Sequence, residues 1–107
     1  MAFDEALAER IRTGLTPVGF REVKMFGGLS FLVDEKMVVS VRGQGGLLVR
    51  CDPALVGELV ERSGVSRAEM RGRPMKEGWL HIDGDALDGE ALTFWLDTAL
   101  SYNRSLS

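Results

Sequence analysis

Between residues 20 and 51 the chain reverses direction every few residues. Segments of strand character at 20–26, 29–33, 37–42 and 47–51 are separated only by Gly27-Gly28, Asp34-Glu35-Lys36 and Gly43-Gln44-Gly45-Gly46. Val23 and Met25 alternate with Glu22 and Lys24, the two-residue period of a strand whose faces differ. Residues 37–42 (MVVSVR) are rich in β-branched side chains. Links this short can reverse a strand, whereas a crossover between parallel strands takes about a dozen residues or more. An antiparallel meander is therefore expected, in place of a parallel, doubly wound sheet.

Helical patterns flank this meander. Phe3, Leu7, Ile11 and Leu15 recur every four residues and predict a helix over 3–13, with Asp4, Glu5 and Glu9 early and Arg10 and Arg12 late, as the helix dipole favours. Gly14 and Pro17 stop it. Asp52 and Pro53 supply an N-cap and a first helical residue for a second helix, with Leu55, Val56, Leu59 and Val60 as its apolar face and Gly64 at its end. Ser66 and Glu69 have capping-box spacing, which predicts a short helical turn. Residues 71–78 read as a loop and Trp79-Leu80-His81-Ile82 as a last strand. Asp88 is the expected cap of a final helix over 89–103, with Leu87 and Leu92 as a hydrophobic staple and Leu92, Trp95, Leu96, Ala99 and Leu100 as its buried stripe. The tail SYNRSLS is expected to fray. The expected fold is one α+β domain over 1–107: a two-layer structure, order α-β-β-β-β-α-β-α, with helices packed on one face of an antiparallel sheet. The other face would be partly exposed or covered by a second copy, so a homodimer is a candidate assembly.

Composition narrows the function classes. The chain has 107 residues, 45% hydrophobic and 27% charged, with a net charge of −3. This is globular composition, and the charge argues against a protein that coats nucleic acid. The single cysteine, Cys51, rules out an intrachain disulfide. No apolar run approaches the roughly 20 residues that span a bilayer, and the acidic MAFDEALAER start lacks the basic and apolar regions of a signal peptide. The cytoplasm is the expected compartment, with no membrane contact.

No catalytic constellation stands out. Gly27-Gly28 and Gly43-Gln44-Gly45-Gly46 match neither G-x-G-x-x-G nor a P-loop, and both lie between strands instead of at a helix N-terminus. They read as hairpin turns or bulges, where glycine supplies positive φ. His81 and Cys51 lack companions at metal-ligand spacing. A Cys51–His81 nucleophile pair is the alternative to a buried structural thiol. Asp83, Asp85 and Asp88 form a loose acidic loop without EF-hand spacing. Hence no metal and no cofactor is expected. Arg67, Arg71, Arg73 and Lys76 are the only basic concentration and offer an alternative reading as a nucleic-acid contact.

Lys24-Met25-Phe26-Gly27-Gly28, then Lys36-Met37, Leu48-Val49-Arg50, Gly72-Arg73-Pro74-Met75-Lys76, Gly78-Trp79, and a terminal helix with Trp95-Leu96 and Ala99-Leu100, resemble the N-terminal domain of the TfoX/Sxy family from about residue 5 to 106. The resemblance implies a two-layer α+β domain similar to secretion-chaperone-like folds. It also implies a bacterial role in regulating transcription and natural competence, full-length members being co-activators that work with the cyclic-AMP receptor protein. Those members carry a second, helical domain, which these 107 residues do not include. No catalytic residues come with the resemblance. The function expected is thus a non-enzymatic module whose partner is a protein, such as transcription machinery or a regulator. The interaction surface is assigned to Met25, Phe26, Gly27, Gly28, Arg71, Arg73, Pro74, Met75 and Lys76, with Phe26 and Phe31 both reaching the core.

Overall fold

A computed structural model describes residues 3–25 and 27–106. Helix α1 spans Glu5–Leu15, and its N-cap Asp4 accepts a 3.1 Å hydrogen bond from the Leu7 amide. It buries Leu7, Ala8, Ile11 and Leu15, the stripe that its four-residue recurrence predicts. Strands β1 (Arg21–Met25), β2 (Gly28–Val33), β3 (Lys36–Val41) and β4 (Leu47–Arg50) follow as the expected meander. Pro53–Leu55 form a 3-10 turn leading into a short α2, Val56–Leu59, and Asp52 caps this turn by accepting from the Ala54 amide. The helical stretch ends at Leu59, short of Gly64.

Beyond Gly64 the structure departs from the sequence pattern in several places. The Ser66–Glu69 spacing makes no helical turn: Val65–Arg67 form strand β5, paired antiparallel with β8 (Trp79–Ile82). Glu69–Met70 (β6) and Arg73–Pro74 (β7) then make a separate small hairpin. The pairing decides, because Val65 packs against the core while Ser66 and Arg67 lie opposite His81 and Leu80. The order therefore gains three strands between α2 and the last helix. In that helix, α3 (Glu90–Ser105), Gly89 at φ +57° takes the N-cap position, and no side chain caps it. Asp88 contributes its carbonyl oxygen, to Ala91, instead of its carboxylate. Arg10 Nη2 of α1 donates to the Leu87 carbonyl at 2.7 Å and thereby fixes the entry to α3. Leu87 and Leu92 are both buried in the core, but with the cap at Gly89 they no longer hold the two positions of a hydrophobic staple. The tail does not fray from residue 101. Asn103 is buried and donates from Nδ2 to the Val33 carbonyl at 3.1 Å, which carries α3 on to Ser105.

Among the described residues, six strands form one sheet in the order β1-β2-β3-β4-β8-β5, and every neighbouring pair is antiparallel. Leu29, Phe31, Val39, Val41, Leu47, Val49, Leu80 and Ile82 turn one face into the core, where they meet Leu7, Ile11 and Leu15 of α1 and Leu92, Trp95, Leu96 and Ala99 of α3. Phe20 lies 5.7 Å from Phe31, ring centre to ring centre. Phe26, expected in the core beside Phe31, lies outside the described residues. A register shift beside Phe31 and Leu32 leaves Val38 as the extra residue of a β-bulge, and Val38 is buried with the core.

The outer face of the sheet carries the row Val23, Ser30, Ser40, Leu48, His81 and Ser66. No helix is needed to explain its burial at Ser30, Ser40 and Leu48; the β6–β7 hairpin lies on that side.

Candidate functional site

Strand parity builds the site. Met25 on β1 and Met37 on β3 project to the outer face with Ser30, Ser40 and Leu48, and the β6–β7 hairpin lays Met70 and Met75 across them. The recess, partly open to solvent, has a volume of about 140 Å³, with Trp79 of β8 on its border. All four methionines among the described residues line it, each of them half-buried. Its floor is satisfied internally: Ser30 donates to Ser40 Oγ at 3.0 Å, and Ser40 donates to the Leu29 carbonyl at 3.4 Å.

Glycine makes the floor possible. Met25 pairs with Gly28, so Gly27, at φ +77°, sits in the intervening turn. At Gly28 the sheet passes so close that a Cβ would stand 2.2 Å from the Val41 carbonyl oxygen. The paired glycines thus turn the chain and then let two backbones meet, as a hairpin-turn reading expects.

The roof is a tight hairpin. Glu69 pairs with Pro74 and Met70 with Arg73, leaving Arg71 and Gly72 as a two-residue turn with φ of +55° and +77°. Positive φ at both positions marks a type I′ turn. Three bonds fasten the roof: the Ala68 amide to the Trp79 carbonyl and the Met75 amide to the Ala68 carbonyl, both 3.0 Å, and Arg42 Nη2 to the Glu69 carbonyl at 2.6 Å. Arg42 Nη1 also lies 3.3 Å from His81 Nδ1, while His81 Nε2 lies 3.2 Å from Asp83 Oδ1. Arginine has no acceptor, so Nδ1 accepts and the Nε2 proton is directed to Asp83. A cleft of about 270 Å³ adjoins the recess, with Arg42, Glu69 and Arg71 on its walls.

Of the residues that sequence singles out, the structure brings Met25, Gly28 and Met75 into one lining and puts Gly27 in the turn beside them. Arg71 stands in the adjoining cleft, and Arg73, Pro74 and Lys76 are exposed on the roof. Phe26 is again outside the described residues. Met37, Leu48, Met70, Arg42 and the serine pair were not singled out. Their signal is the strand parity that puts Met37 opposite Leu32 and Leu48 opposite His81, which needs the pairing to be known.

Cys51 and His81 are not brought together. Cys51 is fully buried in the helix-side core, its amide donating to the Gly78 carbonyl at 2.7 Å, whereas His81 pairs with Leu48 on the outer face. Burial, with the nearby charges of Asp52 and Glu77, pushes the Cys51 thiol up to about 11. Arg67 is engaged by both oxygens of Glu77, at 3.1 and 3.2 Å, which raises its pKa further. Among the described residues, Arg71, Arg73 and Lys76 form no ion pair. A wider groove of about 670 Å³ carries Asp83 and Asp85 of the acidic loop, with Arg62 on its border. Among the described residues no three His, Cys, Asp or Glu side chains are grouped to hold a metal ion, and no helix is long and apolar enough to cross a membrane.

No curated protein matches the chain. A family model described as the TfoX N-terminal domain matches residues 13–102, from the end of α1 through the sheet, the hairpin roof and most of α3.

Proposed function

Because the chain belongs to the TfoX N-terminal domain family, we propose that it is a non-enzymatic regulatory module of the cytoplasm that acts by binding another protein, in the transcription or competence control associated with that family. The observation that carries this reading is the methionine-lined recess on the sheet face opposite the core helices. Thioether side chains are unbranched and adaptable, so they shape themselves to an incoming apolar group. They hold no proton to exchange and no nucleophile suited to covalent chemistry, which supports binding over turnover.

A photo-crosslinking amino acid at residue 69, on the exposed roof and outside the cationic set, tests the reading. The expected result is a discrete protein adduct in the native cell that disappears when Met70→Glu is added, with circular dichroism unchanged. An adduct pattern indifferent to Met70→Glu, or turnover of a metabolite by the purified chain, would overturn it.

A second reading, nucleic-acid contact, retains support from Arg71, Arg73 and Lys76, which are exposed and unpaired among the described residues. Three cations would give a double-stranded DNA salt slope of about −2.7 in log–log form. A slope of that size, reduced by Arg73→Ala, would favour this reading over the first.

A further inference from the structure

We propose that the recess takes one aromatic side chain from an acidic segment of a partner protein, with carboxylates on either side of the aromatic residue held by Arg71, Arg73 and Lys76. The proposal deepens the interaction reading above and rests on it.

Volume limits the guest. A dry, apolar cavity of about 150 Å³ holds a benzene molecule, and this recess measures about 140 Å³. One ring fills this space, whereas a whole nucleotide or a whole helix exceeds it. The lining selects among single groups. Met25, Met37, Met70 and Met75 line the space, and the thioether of methionine favours the edges of aromatic rings; Trp79 adds an aromatic side chain to the lining. The floor serines already donate to each other and to the Leu29 carbonyl, so they offer no free proton to an anionic tip. Arg42 and Gln44 also border the recess, but the Arg42 guanidinium is engaged by the Glu69 carbonyl and His81, so the cations left to meet carboxylates are those of the roof.

The roof has charges to meet them. Along residues 69–76 stand three cations, Arg71, Arg73 and Lys76, against one carboxylate, Glu69. Glu77, the next carboxylate, is already engaged by Arg67. These cations form no ion pair among the described residues, in a chain whose net charge is −3. Surface cations left free around an apolar recess attract an oppositely charged segment and repel a basic one, which fixes specificity and on-rate more than raw affinity.

The test uses the whole chain labelled with 13C at the methionine methyls and 15N at the amides, titrated with acetyl-Asp-Asp-Phe-Asp-Asp-amide. The methyl signals of Met25, Met37, Met70 and Met75 are expected to shift together while the amides of α1 stay in place. Acetyl-Lys-Lys-Phe-Lys-Lys-amide is expected to bind at least about tenfold more weakly, as is the acidic peptide to Arg73→Glu. The peptide with Ala for Phe should leave the methyl signals unmoved. Toluene, the same ring without a chain, should need at least about tenfold higher concentration, because it forgoes the charged flanks. No methyl shift at millimolar acidic peptide, equal binding of the basic peptide, or toluene binding as tightly as the peptide would each overturn the proposal. If the residue-69 crosslink forms while the acidic peptide fails, the ring-and-carboxylate chemistry falls and the interaction reading stands. If neither is seen, both fall.

Discussion

Arg42 Nη2 donates a 2.6 Å hydrogen bond to the Glu69 carbonyl oxygen, so a side chain just past the end of β3 holds down a hairpin 27 residues further along the chain. A hydrogen bond with a charged donor contributes about 1.5–3 kcal/mol, which corresponds to roughly tenfold to a hundredfold in a local opening equilibrium. Arg42→Gln is expected to speed hydrogen exchange at the Met75 amide by that factor. The amides of Val39 and Val49, deep in the sheet, should keep their protection. Hydrogen exchange read by mass spectrometry or NMR checks both.

Gly28 tolerates no side chain. An added Cβ would stand 2.2 Å from the Val41 carbonyl oxygen, which belongs to the sheet and cannot swing aside. Gly28→Ala is expected to cost about 1–3 kcal/mol through backbone displacement, lowering Tm by about 4–8 °C for each kcal/mol in a domain of this size. Gly57, in α2, would meet nothing within 4 Å. Gly57→Ala should raise stability by about 0.5–1 kcal/mol through its helix preference and the entropy of the unfolded chain. Thermal denaturation of the two variants side by side gives opposite signs if this account holds.

Cys51 makes stability depend on alkaline pH. Its thiol titrates at about 11 in the folded chain, against an ordinary value of 9.0. Between those values the folded form keeps a proton that the unfolded form has lost, so stability is full below about pH 9 and falls as pH rises toward 11. The slope from this group reaches at most about 1.4 kcal/mol per pH unit. Urea midpoints measured from pH 8 to 11 should fall less steeply in Cys51→Ala than in the native chain. The native thiol should also resist a disulfide reagent at pH 8 until the chain is unfolded.

Asn103 completes the join between α3 and the β2 hairpin end. It is 3% exposed, and its amide is the partner of the Val33 carbonyl. Asn103→Ala leaves that carbonyl without this donor, at a cost of about 1–3 kcal/mol. The last turn of α3 should loosen first. Faster exchange of the amides near residue 105, preceding any change in β3, is the expected signature.

The sequence displays periodicity, and whatever follows from periodicity is legible in it. Leu7, Ile11 and Leu15 repeat with the helix, and the short links after Met25, Val33 and Val41 can only reverse a strand, so α1 and the meander need no structure to be recognised. Local signals that depend on a distant partner are less secure. Ser66 and Glu69 satisfy a capping box by spacing alone, yet strand pairing with Leu80 and His81 offers residues 65–67 a full ladder and takes precedence. Asp88 is a good cap by type, but Arg10 fixes the neighbouring carbonyls from 77 residues away and the glycine takes the cap position.

The same limit applies to the site. Met25, Gly28 and Met75 stood out through their glycine and proline neighbours, and they share the recess. Met37 and Met70 carried no such flag. Even the alternation in β1 was silent on direction: Val23 and Met25 turn to the outer face, while Glu22 faces the helices and is held there by Arg12 of α1, which keeps its carboxyl below the usual range.

The roof over the recess contributes no residue to the main core, which draws on residues up to Leu59 and again from Leu80. The roof and the main core are therefore supplied by separate stretches of the chain, while the floor of the recess, with Met25, Met37 and Leu48, belongs to the sheet itself. On the proposed reading, substitutions at the exposed roof positions Arg71, Arg73 and Lys76 retune which partner is admitted without touching a buried side chain, so a lineage carrying this domain exchanges targets without first surrendering its scaffold.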